Sequence, residues 1–117
     1  MNDLATRWFG RLHRVTGAMA YGLRTNDRQI FSRTWNPQFS EAALNDFWQR
    51  LEGIAQVALP AGEKAESLRW IFHDHLVTAV ARPDNTMYFI LRAKDARSVD
   101  ESGLERLLNE FRGLRSE

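Results

Sequence analysis

Residues 68–93 read LRWIFHDHLVTAVARPDNTMYFILRA, and this stretch decides the fold. Pro83-Asp84-Asn85 is a turn signal. On either side of it, Leu76–Ala81 and Met87–Leu91 are apolar at nearly every position. Runs that short, apolar on both faces, describe central strands with helices above and below the sheet. The strands Leu76–Arg82 and Met87–Ala93 therefore form a hairpin. Leu68–Asp74 precedes them as a third strand, in which Arg69 and His73 interrupt the apolar residues as in an edge strand. His75 falls in or near the tight turn between it and Leu76.

Working outward toward the C-terminus, Ser98 with Glu101 forms a capping box. Leu104, Leu107, Leu108, Phe111 and Leu114 then follow at helical spacing. Toward the N-terminus, Leu59–Ser67 is a loop carrying Pro60 and Gly62. Before it, Ser40 is a good N-cap for a helix from Glu41 to about Ala58, with Glu41 favoured by the helix dipole. Leu44, Phe47, Trp48, Leu51, Ile54, Ala55 and Ala58 form its stripe. Ala43 and Val57 widen that stripe to more apolar surface than one sheet contact needs. Ala18–Arg24 and Gln29–Trp35 form a hairpin around the polar turn Thr25-Asn26-Asp27-Arg28, and Asn36-Pro37 ends it. Met19, Tyr21 and Leu23 are expected on one face of the first strand. The small residues Ala18, Ala20 and Gly22 are expected on the other, where a helix can approach closely. A first helix, capped by Asn2 or Asp3 and stopped near Gly17, carries Leu4, Trp8, Leu12 and Val15 on one side and Arg7, Arg11 and Arg14 on the other.

The expected architecture is α/β of the α+β type. It is a three-layer α-ββ-α-βββ-α arrangement whose five-stranded antiparallel sheet is covered by helices on both faces. Residues 1–117 form one domain, with no repeat or linker. The length and the thirteen aromatic residues suffice for one continuous core. With no cysteine, disulfide and thiolate chemistry are excluded. No apolar run reaches membrane-spanning length, and Met1–Gly10 lacks a signal-peptide core, so a cytoplasmic protein is expected, without integral membrane contact. A net charge of +1 gives no global pull toward nucleic acid. Fourteen arginines against two lysines suit planar, bidentate contacts at interfaces, although Arg-favouring codon usage produces the same bias.

No catalytic or cofactor motif emerges. His73 and His75 would share a face if both lay on a strand, but a metal site needs a third ligand, Asp74 would point the other way, and His13 is distant. Gly17–Gly22 (GAMAYG) has the glycine spacing of a phosphate loop but no following Lys-Ser or Lys-Thr. No G-x-S-x-G occurs. Tyr21, Phe31, Trp35, Trp70 and Phe89 would imitate a base-stacking platform only on a bare sheet face. No metal, no cofactor and no enzymatic activity are expected.

Over Asp3–Leu114 the element order resembles the roadblock/dynein light chain family. Val15-Thr16-Gly17-Ala18-Met19-Ala20 looks like that family's helix-end glycine followed by a small-residue strand. Trp70–Leu91, with its break at His73-Asp74-His75 and its turn at Pro83-Asp84-Asn85, looks like the closing meander. The resemblance implies a non-enzymatic module that dimerises through its second helix and third strand and serves a small Ras-like GTPase or another signalling protein as scaffold or regulator. Carried over, the homodimer seam is Glu41–Ala58 with Leu68–Asp74, including Phe47, Arg50, Ile54, Val57 and Trp70. Arg7, Arg11 and Arg14 are candidates for the partner surface. The alternative on a similar fold is a profilin-like or sensor-type domain holding a small ligand between sheet and helix.

Overall fold

The computed structural model describes residues 3–58, 66–95, 97 and 99–114; the side chains of Asp3 and of residues 54–58 lie outside that description. The order is α1 (Asp3–Gly10), β1 (Ala18–Arg24), β2 (Ile30–Thr34), α2 (Glu41–Ala58), β3 (Ser67–Ile71), β4 (His75–Ala81), β5 (Met87–Ala93) and α3 (Glu101–Gly113). The five strands form one antiparallel sheet in the order β2-β1-β5-β4-β3. β1 and β5 are buried almost throughout, as their apolar sequences require, whereas β2 and β3 are the two edges.

Two cores flank the sheet. On one face, α1 and α3 pack Ala5, Phe9, Leu104, Leu107, Leu108 and Phe111 against Tyr21, Leu23, Tyr88 and Ile90. On the other, α2 packs Leu44, Trp48 and Leu51 against Ala20, Val77, Ala79 and Phe89. Ser40 caps α2 as its sequence implies, its Oγ accepting from the Ala43 amide at 3.1 Å. The close approach allowed by small residues also occurs. The Trp48 indole lies flat on Phe89, 5.0 Å between centroids at 17°, and donates to Ser32 Oγ at 3.0 Å. It occupies the space a Gly22 side chain would need, since a Cβ there would sit 2.4 Å from Nε1.

Several boundaries differ from expectation. α1 ends at Gly10, not near Gly17. Glycine is a poor helix former, and the last turn closes with Leu12 N–H on Phe9 O at 3.3 Å. The Arg33 guanidinium, reaching from β2, donates to the carbonyls of Phe9 and Leu12. Residues 11–17 then run irregularly, pinned by the Tyr21 hydroxyl, which donates to His13 O and accepts from the Val15 amide. Gly17 still matters: its φ of 91° favours glycine.

A register shift between Ala18 and Ala20 exchanges the expected faces of Ala18 and Met19. Ala18 joins the α1/α3 core, and Met19 packs toward α2. An extra residue in one strand reverses the alternation beyond it. β3 stops at Ile71, and His75 opens β4 opposite Ala93. The start of α3 is capped by Asp100, which accepts from Gly103 N at 3.0 Å; Ser98 lies outside the described residues, as do residues 59–65 of the loop before β3. Among the described residues no helix is long and apolar enough to cross a membrane.

The Tyr88 hydroxyl is buried without a hydrogen-bond partner. Burial raises its pKa well above the usual phenol value, with a smaller contribution from Tyr21. The native state therefore keeps this proton at a pH where the unfolded chain releases it. Its contribution to stability is fully present below about pH 10 and is lost as pH climbs beyond. Tyr88→Phe removes an unsatisfied donor while keeping the ring. It is expected to hold or raise the melting temperature at pH 7 and to move the alkaline unfolding limb to higher pH, as thermal melts from pH 7 to 11 would show.

Candidate functional site

Among the described residues β3 has only β4 as a strand neighbour, so its outer backbone groups form a sheet edge with no partner strand there. Its side chains alternate. Leu68 and Trp70 turn toward α2 and pack partly against that core. Ser67, Arg69 and Ile71 point to the other face and are exposed, Ile71 at 66%. Phe72, just beyond the strand, is 39% exposed and lies 5.9 Å from the half-buried Phe47 ring of α2. Phe47, Trp70, Ile71 and Phe72 thus put apolar surface on both sides of an unpaired strand. Such a combination makes this edge the candidate site.

Of the residues expected at a seam, the structure places Phe47 and Trp70 at this edge. Arg50 is on the exposed side of α2, one turn from Phe47, with Nε 2.8 Å from Asp46 Oδ2. Both partners are largely exposed, so this pair adds little to stability. Ile54 and Val57 belong to α2, but their side chains lie outside the described residues. The sequence does not single out Ile71 and Phe72, because Leu68–Asp74 reads as one uninterrupted strand. Their signal was two adjacent apolar residues beside the polar His73-Asp74.

Arg7, Arg11 and Arg14 are all exposed but do not share a helical face, because α1 has ended before Arg11. The Arg14 Nε is committed to Ala18 O at 2.9 Å. His73 and Asp74 occupy the β3–β4 turn, closed by the Phe72 amide on His75 O at 2.9 Å. There His73 Nε2 lies 3.8 Å from Asp74 Oδ1, while His75 points its ring edge-on to Phe39. The two imidazoles therefore lack the i, i+2 strand geometry, and no three potential ligands converge among the described residues. Gly22 is spent on packing under Trp48, not on a phosphate. Tyr21 and Phe89 are buried, and Phe31, Trp35 and Trp70 are scattered between the two faces, so they form no stacking platform. A shallow depression over α3 is lined by Ser102, Glu105, Arg106, Asn109 and Glu110, all exposed side chains of a solvated helix face.

No family model matches the chain, and no curated protein matches it in sequence. Its structure is similar to the crystal structure of a Roadblock/LC7 domain from Streptomyces avermitilis. The TM-score is 0.54 at 17% identity, over 88% of this chain and 86% of that one. The chain thus has the roadblock fold, a five-stranded antiparallel sheet with three helices.

Proposed function

We propose that this protein is a non-enzymatic homodimeric platform for a signalling protein, with a small Ras-like GTPase as the first candidate. The observation that carries the proposal is the free β3 edge flanked by Phe47, Trp70, Ile71 and Phe72. A second copy would extend the sheet across this edge and bring the α2 helices together on one side, burying the surplus apolar surface of Phe47 and Phe72. Such a seam leaves the α1/α3 layer of each copy open to a partner, and Arg7, Arg11 and Arg14 lie on or beside that layer. A cytoplasmic site of action follows from this partner class.

The ligand-binding alternative needs room between sheet and helix. Under α2, that room is filled by Trp48 stacked on Phe89 and flush with Gly22. Under α1 and α3 it is filled by Trp8, Tyr88 and Phe111, whose rings lie 5.0–5.7 Å apart.

Cross-linked affinity capture from the native host tests the partner assignment. The wild type is expected to retain a GTPase or signalling protein that purified components reconstitute, with weaker retention by an Arg7→Ala/Arg11→Ala/Arg14→Ala variant. Capture of neither class removes the functional reading. Equal capture by both proteins keeps the platform and moves the contact away from these arginines.

A further inference from the structure

We propose that the β3 edge, once paired with a second copy, forms a two-arginine acceptor for an acidic segment of a partner protein, centred on Arg69 of each copy. This rests on the β3-mediated dimer proposed above and adds what that dimer would bind. Arg69 is exposed at the middle of β3 and makes no hydrogen bond or ion pair with the described residues. Its cross-strand neighbour is Thr78, and Ile71 lies opposite Leu76. These four side chains share the face that α1 and α3 cover elsewhere: Ser67 on the same face pairs with Val80, which belongs to the α1/α3 core. Over β3 that cover is missing, for Arg69 and Ile71 are exposed and Leu76 and Thr78 half-buried.

Symmetry places the arginines. Extending an antiparallel sheet by a second copy requires a two-fold axis perpendicular to the sheet, which keeps every side chain on its own face. Residues directly opposite in an antiparallel pair also share a face. The axis must therefore pass through a residue position, not between two. Only an axis at Arg69 pairs the whole of Ser67–Ile71 with its copy; an axis at Leu68 or Trp70 shortens the overlap. With the axis at Arg69, the two Arg69 Cβ atoms lie about 4.5–5.5 Å apart, and like charges so placed oppose pairing. A carboxylate between them accepts from both guanidinium forks. Ile71 and Leu76 of both copies form apolar flanks around that cationic centre. The matching occupant is a segment with clustered Asp or Glu between aliphatic side chains.

The chain has no cysteine, so single-cysteine variants report the register cleanly. Light scattering first reads the oligomer. Arg69→Cys is expected to form a symmetric intermolecular disulfide on mild oxidation. Ser67→Cys and Ile71→Cys are expected to cross-link to each other when mixed and poorly alone, because each lies opposite the other. The probe is a synthetic dodecapeptide alternating leucine and glutamate, compared with inorganic phosphate at equal ionic strength. The wild-type dimer is expected to bind the peptide about tenfold or more tightly than the Arg69→Gln dimer. Salt should weaken the wild-type interaction, and phosphate should compete only weakly. A wild-type monomer overturns both this inference and the dimer. A dimer that cross-links in another register overturns the acceptor alone. So does a dimer with the expected register whose peptide affinity is unchanged in Arg69→Gln, or one for which phosphate replaces the peptide fully.

Discussion

Trp48→Ala is expected to destabilise the fold by about 3–5 kcal/mol, the range for emptying a large aromatic site in a packed core. For a domain of this size that corresponds to a fall in melting temperature of roughly 10–20 °C. The magnitude rests on what the indole does at once: it stacks on Phe89, satisfies Ser32 and fills the hollow over Gly22. The same hollow supplies a control. Gly22→Ala in the wild-type background forces a Cβ into an indole that is held on two sides, an overpacking cost of about 1–3 kcal/mol. In the Trp48→Ala background that clash has no partner, so the second substitution should be nearly neutral. Thermal or urea unfolding of the four proteins measures the coupling. Strict additivity would mean that Gly22 and Trp48 are not packed together as described.

Phe47→Asp is expected to raise the dimer dissociation constant about a hundredfold or more, because a carboxylate in an apolar seam loses hydration without gaining a partner. The folded protomer should survive, since Phe47 is only half-buried in one copy and lies beside the Trp48 core, not inside it. Circular dichroism unchanged from wild type, together with sedimentation as a protomer, is the expected pair of results. Phe72→Asp should act in the same direction. A Phe47→Asp protein that still sediments as the wild type does would place any seam elsewhere.

The layers of this fold were legible because hydrophobic periodicity dictates them. The doubly apolar strands β4 and β5 required helices on both sides, and the stripe on α2 located Leu44, Trp48 and Leu51. What was not legible depends on contacts distant in sequence. α1 could end at Gly10 because Arg33 of β2 supplies the donors its carbonyls need. In the same way Arg82 of the β4–β5 turn donates to the carbonyls of Phe111 and Leu114 at the end of α3. Arg24 is buried with its Nε 3.1 Å from Glu52 of α2, and Arg92 donates to Glu101 at 2.7 Å. Part of the arginine excess, which composition leaves open between codon usage and an interface, therefore serves internal pairing and helix termini. The reversal of Ala18 and Met19 comes from one extra residue in a strand, which leaves no mark on composition. At the candidate site, the wide stripe of α2 includes Phe47, whose ring lies beside Phe72 at the end of β3. The exposure of Ile71 and Phe72 depends on β3 ending before the His73-Asp74 turn, a boundary the sequence pattern does not mark.

The most direct test of the dimeric platform is sedimentation equilibrium of the wild-type protein, whose protomer mass is 13.6 kDa. At concentrations on the order of tens of micromolar, a micromolar or tighter seam should give twice that mass. A single species at the protomer mass would contradict the account.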